Sequence, residues 1–432
     1  MSGRLPWYAC ALLSASALAC TGNDRPATAS APAGPASPTS AKPIAIGATM
    51  SLSGSESTSG KKFRDGYELA FAEAAARGGL KIGNSLVPVE LKLLDDGSDT
   101  ATGVRLARQL VEQDHVAALL STYGTKMVLE QSTVAEDLHV PYVCSGASAS
   151  GVFKRGYKYL FGVQAPTEQM AYAEMRWIDN EQKAGRLPTP LRLAIAWENT
   201  AFGKDYRAGV LDFATRTQAR KVAYEIVLDR PFELGTAAFG PLVSDLKAAK
   251  AHAFLASPHF EDFIAMQKAV RAARICLPVI SYGARGWEPS ALEALGKDGL
   301  SSLIFATWWS NKVDGPLNRA FIEAFSARYH HLPEYPEALG YESARVLFAA
   351  MEKAGSTAPD EVRSALEKIS MPTLLPGGVL SFPTDSGHQA RTLYVVHQNQ
   401  ADGSQPIVYP RELATTSGAI QTCPSSGATA HR

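Results

Sequence analysis

The chain has little of what would commit it to metal chemistry, nucleic acid or a bilayer. It holds five cysteines in 432 residues, too few and too scattered for the disulfide frameworks that replace a core in small secreted domains. No cysteine has metal-ligand spacing, and neither His259 nor the pair His330-His331 has zinc-site spacing, so no metal is expected. Lys plus Arg equals Asp plus Glu at 42 each, without a basic run. The concentrated positive surface that neutralises phosphates is missing, which excludes nucleic acid as a partner. No phosphate loop and no Gly-x-Gly-x-x-Gly follows the first strand, so no cofactor is expected. Gly146-Ala-Ser-Ala-Ser150 approaches a nucleophile elbow but lacks the second glycine, and no His or Asp can be assigned to Ser148. The chain therefore reads as a binder, not an enzyme. Past the first twenty residues no apolar run is long enough to span a bilayer.

What is there begins with an export segment. Arg4 supplies a positive start, Leu5 to Leu18 is small and apolar, and Ala17-Leu18-Ala19-Cys20 closes it, so residues 1–19 read as a signal peptide. The ending resembles a bacterial lipobox, in which Cys20 is lipidated and becomes the mature N-terminus. Thr21 in place of Asp then favours the outer membrane. Residues 20–42 are mainly Ala, Pro, Ser and Thr, which cannot bury enough surface to offset chain entropy and read as a flexible tether. Lipid at Cys20 would be the only membrane anchor. Cys144, Cys276 and Cys423 read as buried free thiols, with a Cys144–Cys276 bridge left open.

From Pro43 short apolar strands alternate with amphipathic helices. With 46% hydrophobic residues over this length, the prior is two lobes. Strands over Ile44 to Met50, Val87 to Leu94, Val116 to Leu120 and Tyr142 to Cys144, each followed by a helical stretch, give one α/β lobe with a parallel sheet. The cadence restarts with helices at 167–180 and 204–215 and strands at 191–197, 222–227, 253–256 and 279–282. Short antiparallel strands are expected at 378–382, 391–397 and 406–409. Residues 411–432 read as a disordered tail.

Two strands end in clusters of small hydroxyl-bearing residues, Ser-Thr-Tyr-Gly-Thr over 121–125 and Ser-Gly-Ala-Ser over 145–148. In an open α/β sheet the crevice beyond the carboxyl ends of the strands is where small ligands bind, and helix N-termini there favour carboxylates.

The order Ile46-Gly-Ala-Thr-Met-Ser-Leu-Ser-Gly54, Gly66-Tyr-Glu-Leu-Ala70, Asp95-Asp96, Val140-Pro141, Gly156-Tyr157, Asn199-Thr-Ala-Phe-Gly203, Gly235-Thr236 and Ala338-Leu-Gly-Tyr341 resembles the type I periplasmic binding proteins. The branched-chain amino acid branch of ABC-transporter solute-binding proteins is most similar. The resemblance implies two Rossmann-like lobes joined by three crossovers near 164–167, 282–287 and 371–378. Lobe one is then 43–164 plus 285–372, and lobe two 165–284 plus 373–410. It also implies a periplasmic protein that takes a small amino acid or related carboxylate and hands it to an ABC permease. Carried over residue by residue, Thr125 and Ser148 supply hydroxyls to a ligand carboxylate, with Tyr123, Gly124 and Ala147 around them, and Gly146 offers a carbonyl to an ammonium. Ser59 stands where the family carries an aromatic, Phe202 where it has Tyr, and Thr236 where it has the acid that meets the ammonium. Those departures point away from a plain α-amino acid. Glu198, His259 and Glu261 are the groups that could supply a charge from nearby loops, though each reads first as an ordinary surface group. Tyr123, Trp197, Phe202, Tyr282, Trp287, Trp308 and Trp309 are expected near the cleft. A lipoprotein of the same fold acting as a sensor, or as a protein-binding activator of cell-wall synthesis, is the alternative role.

Overall fold

The computed structural model describes residues 42–218 and 224–423. The signal segment, Cys20 and the tether up to Ala41 lie outside the described residues, as do the first two residues of the strand expected from Val222 and the tail beyond Cys423.

The first sheet is built from β1 (Ile44–Met50), α1 (Ser57–Ala76), the hairpin β2 (Leu80–Ile82) and β3 (Ser85–Val87), β4 (Val89–Asp95), α2 (Thr100–Glu112), β5 (Ala118–Leu120), α3 (Thr125–Asp137), β6 (Tyr142–Cys144), α4 (Ser150–Phe153) and β7 (Leu160–Gly162). Its five strands run parallel in the order β4-β1-β5-β6-β7. Fully buried runs such as Ala118-Leu-Leu120 and Tyr142-Val-Cys144 suit strands covered by helices on both faces. Short polar signals set the helix starts. Asp99 caps α2 by accepting the N–H of Thr102 at 2.7 Å, which satisfies a donor the helix itself cannot.

The chain then builds α5 (Thr167–Lys183), β8 (Leu191–Glu198), α6 (Ala201–Gln218), β9 (Tyr224–Phe232), α7 (Gly240–Ala249), β10 (Ala253–Ser257), α8 (Phe260–Ala272), β11 (Val279–Ser281), α9 (Pro289–Leu300) and β12 (Ile304–Thr307). After these come α10 (Pro316–Tyr329), α11 (Tyr335–Ala354), α12 (Pro359–Glu367), β13 (Ser370–Pro372), β14 (Val379–Ser381), β15 (Val395–Gln398) and β16 (Ile407–Tyr409). The second sheet has seven strands in the order β16-β15-β12-β11-β10-β8-β9, parallel except where β15 pairs with β12 and β16. In each sheet the strand order reverses beside the strand that starts the sheet, between β1 and β5 and between β8 and β10, and such switch points open a crevice at the strand ends.

The structure moves two lobe boundaries. Residues 285–372 were expected in the first lobe, yet β12 pairs with β11 and β15 of the second sheet, so the chain returns only after Thr307. Residues 373–410 were expected in the second, yet Gln389 bridges Gly162 and His388 stacks on Phe161 at 4.8 Å, both against β7. The chain crosses again just before β15. The physical reason is that both boundaries depend on strand partners far away in sequence, which local periodicity does not record.

Two of the expected free thiols, and the part of the expected disordered tail up to Cys423, are corrected too. Cys276 and Cys423 form a disulfide, and among the described residues Cys144 is the one free thiol, buried. Residues 411–423 are tied down: Thr415 N–H donates to the Ile407 carbonyl at 2.9 Å, and Ala419 N–H to Gln398 Oε1 at 2.7 Å. A polar composition suggests disorder, but backbone pairing and a covalent staple override it. No helix of the described residues is long and apolar enough to cross a membrane, and no cluster of three or more metal-ligating side chains is present among them.

Candidate functional site

The tips of β5 and β6 lie side by side and are wired together. Ser121 Oγ accepts the N–H groups of Ser145 and Gly146 at 3.0 and 3.1 Å. The Tyr67 hydroxyl donates to the Ser121 carbonyl at 2.7 Å and lies 2.9 Å from the Ser145 hydroxyl. Beneath them the fully buried Asp96 accepts from the hydroxyls of Ser51 at 2.7 Å and Thr122 at 2.6 Å. Every one of these groups is out of water, so the network locks the tips in one geometry.

Glycine is required at two points. A Cβ on Gly146 would lie 1.8 Å from the Thr122 carbonyl oxygen, so only glycine lets the tips meet. Gly124 adopts φ +98° as the residue before α3, a conformation other residues rarely adopt. Its N–H donates to the Gly146 carbonyl at 3.0 Å. The carbonyl expected to face a ligand ammonium is thus engaged by the neighbouring tip. Thr125 opens α3, whose first N–H groups have no partner inside the helix and carry the positive end of its dipole. The Ser148 hydroxyl shares a hydrogen bond with Thr167 at 2.8 Å, and Gln389 Nε2 donates to the Ser148 carbonyl at 2.8 Å. That joins the tip to the crossover strands.

These tips form one wall of a cleft with about 440 Å³ of space free of protein atoms, part of it open to solvent. Tyr123, Gly124, Thr125, Gly146, Ala147 and Ser148 all line it. The facing wall comes from the second sheet: Phe202 in α6, Pro258 and His259 after β10, and Ala284 and Arg285 after β11. Gln164, Trp308 and Tyr335 close the base. Tyr123 stacks on Phe63 with centroids 5.3 Å apart, and the His259 ring stands edge-on between Tyr123 at 6.3 Å and Phe202 at 6.0 Å. Trp308 packs on Tyr335 at 5.1 Å. The walls are flat and aromatic, and such rings are ordered at low entropic cost.

Two cations face this space with their counter-ions behind them. Arg285 pairs with Glu288 at 3.1 Å, and Glu288 Oε2 also accepts the N–H groups of Gly286 and Trp287. Arg285 is buried and stays charged: burial opposes the charge, but Tyr335, Tyr123 and Glu288 outweigh it. His259 Nδ1 lies 2.5 Å from Glu198 Oε2. Burial again works against the cation, but the adjacent Glu198 carboxylate lifts His259 to about 10. Burial likewise works against the Glu198 charge, and the imidazolium overcomes it and holds that carboxyl below its usual range. Glu198 is fully buried, so the reading of Glu198 and His259 as surface groups is corrected: they form an ion pair set at the second switch point.

Two expected positions fall elsewhere. Ser59 lines an adjoining outer hollow with Glu56, Glu261 and Asp262, which shares His259 with the cleft. Thr236 lines neither, its hydroxyl donating to the Glu233 carbonyl at 2.6 Å. Among the expected aromatics, Tyr282 is buried against Phe254 and Phe263 and donates to Gln267. The Trp197 indole donates to Asp229, the Trp287 indole to the Ala284 carbonyl and the Trp309 indole to Asn318. Tyr335 carried no sequence signal toward a site, and Arg285 only a faint one. The run Gly283-Ala-Arg-Gly286 after an apolar strand was the one local hint.

A family model described as periplasmic binding protein matches residues 43–404. A Leu/Ile/Val-binding protein homolog 8 from Brucella abortus (strain 2308) is 26% identical over 379 residues, covering 86% of this chain and 91% of that protein. Among solved structures, the substrate-binding protein LivJ of Streptococcus pneumoniae in complex with isoleucine aligns at a TM-score of 0.72 and 20% identity, over 85% of this chain and all of that one. A solute-binding protein of an ABC transporter from R. palustris in complex with benzoate aligns at 0.71 and 18%, over 88% and 98% of the two chains. At those identities the structures speak to fold alone.

Proposed function

Because the chain belongs to the periplasmic binding protein family, we propose that it captures a small carboxylate-bearing solute between its two lobes and passes it to an ABC permease. One observation carries this reading: the N–H- and hydroxyl-bearing tips of β5 and β6, the N-terminus of α3 and two cationic side chains converge on one cleft. Donors fixed in place before binding favour a carboxylate without a reorganisation cost. Thr125 and Ser148 hold the carboxylate, while Tyr123 and Phe202 flank the rest of the solute. The relatives support the role. LivJ is in complex with isoleucine and the R. palustris protein with benzoate, and both ligands carry a carboxylate. Since the ligand touches both walls, it biases open against closed lobes by its differential contacts. Cys20 carries the lipid that keeps the protein at the membrane face, with 21–42 as tether.

Thermal-shift screening of the purified protein against amino acids, their amides and small carboxylates tests the reading. A melting temperature raised by carboxylates and not by the matching amides is expected. No shift with any compound, together with recovery of a protein partner by pull-down, would replace solute capture with a sensor or activator role.

A further inference from the structure

We infer that this cleft selects carboxylates that lack an α-ammonium group, and that Arg285 and His259 impose the selection. The inference rests on the solute-binding reading above and narrows it.

The charge around the cleft is one-sided. Arg285 and His259 are its two charged lining residues, and no Asp or Glu is among the described residues that line it. Their partners Glu288 and Glu198 are 4% and 0% exposed and stand behind the cations. A zwitterion entering here would set its ammonium among positive groups with no carboxylate to receive it, and a desolvated ammonium without a counter-charge is strongly disfavoured. The neutral acceptors at the strand tips are already partly engaged, and the Gln164 side-chain oxygen, buried at the cleft without a partner, carries no counter-charge for an ammonium. The Gly146 carbonyl takes the Gly124 N–H, and the Tyr123 phenol oxygen takes an N–H of Arg285 at 3.1 Å.

Carboxylates do occur nearby, at Glu56, Glu261 and Asp262, but they line the adjoining hollow that shares His259 and not the cleft itself. An α-ammonium sits on the carbon next to the carboxylate. With the carboxylate at Thr125 and Ser148 it stays in the cleft lined by Arg285 and His259, and the carboxylates line the separate hollow. The aromatic walls ask for an apolar body, so the favoured class is an aromatic or branched aliphatic acid bearing no amino group beside its carboxyl.

Matched pairs test this by calorimetry: 3-phenylpropanoate against phenylalanine, and 4-methylpentanoate against leucine. The acid of at least one pair is expected to bind about tenfold or more tightly than its amino acid, a difference of about 1.4 kcal/mol. In His259→Gln, whose side chain stands at the cleft wall with 18% of its surface exposed, that ratio should fall by threefold or more. Arg285→Lys, which keeps the charge, should preserve it. Equal or tighter binding of the amino acids, or a ratio that His259→Gln leaves unchanged, overturns the inference while solute capture stands. Binding of neither member of either pair, with amides or a protein partner bound instead, overturns both.

Discussion

Arg285 Nη2 donates to the phenolic oxygen of Tyr123 at 3.1 Å, joining the strand tip of one sheet to the loop after β11 of the other. Both residues line the cleft, so the bond aims the guanidinium at the space a ligand would occupy. Tyr123→Phe keeps the stacking on Phe63 and leaves a buried charged donor unsatisfied. A loss of roughly 1–3 kcal/mol in unfolding free energy is expected. Denaturant titration checks it, and an unchanged midpoint would deny the bond its structural role.

At the strand tips, Thr125→Ala and Ser148→Ala should each weaken carboxylate binding by roughly 1–3 kcal/mol, the usual worth of a hydrogen bond to a charged group. Ser148 also shares its hydroxyl with Thr167, so its variant should lose some stability as well. Calorimetry showing unaltered affinity in both variants would remove the proposed carboxylate grip.

Carboxylate binding by the natural protein should be flat between pH 6 and 8, because Glu198 lifts His259 to about 10 and keeps it charged throughout. Glu198→Gln withdraws that support, leaving burial to push the imidazole down. Affinity in this variant should fall by roughly fivefold, about 1 kcal/mol, as pH rises through 6 to 8. A flat profile in Glu198→Gln would show that the His259 charge does not reach the ligand.

Glu174 lies fully buried between Tyr206 and Ser281, and burial, against those two hydrogen bonds, pushes its carboxyl up to about 7. The folded state therefore holds a proton that the unfolded chain gives up near pH 4.5. Stability from this group is fully present below about pH 4.5 and is lost as pH rises through 7, by up to roughly 3 kcal/mol. Glu174→Gln should flatten the stability profile between pH 5 and 8 and melt higher than the natural protein at pH 8. Parallel melting curves for the two across that range would count against a protonated Glu174.

The Cys276–Cys423 bridge closes a 147-residue separation and pins the tail to the loop between α8 and β11. Cys423→Ser should cost roughly 2–4 kcal/mol of stability, chiefly by freeing the unfolded chain. It should also raise amide hydrogen exchange over 411–423. Exchange there as slow as in the natural protein would mean that the backbone pairing with Ile407 and Gln398 suffices.

Most of the architecture was legible in the sequence, because burial on two faces of a strand or one face of a helix leaves a local record. The apolar runs at 118–120 and 142–144, and the polar clusters that follow them, placed Thr125, Gly146 and Ser148 at neighbouring strand ends. The structure brings seven of the nine expected residues to one cleft. What only the tertiary structure decided is everything that depends on a distant partner. Tyr123 and Arg285 are 162 residues apart, Glu198 and His259 61, and β12 finds β15 across more than eighty residues of intervening chain. A side chain's charge and aim are set by what packs against it, not by its neighbours along the chain. The sequence therefore determined a two-lobed binder with hydroxyl-bearing strand ends, and the fold determined that two cations, each backed by a buried carboxylate, face them.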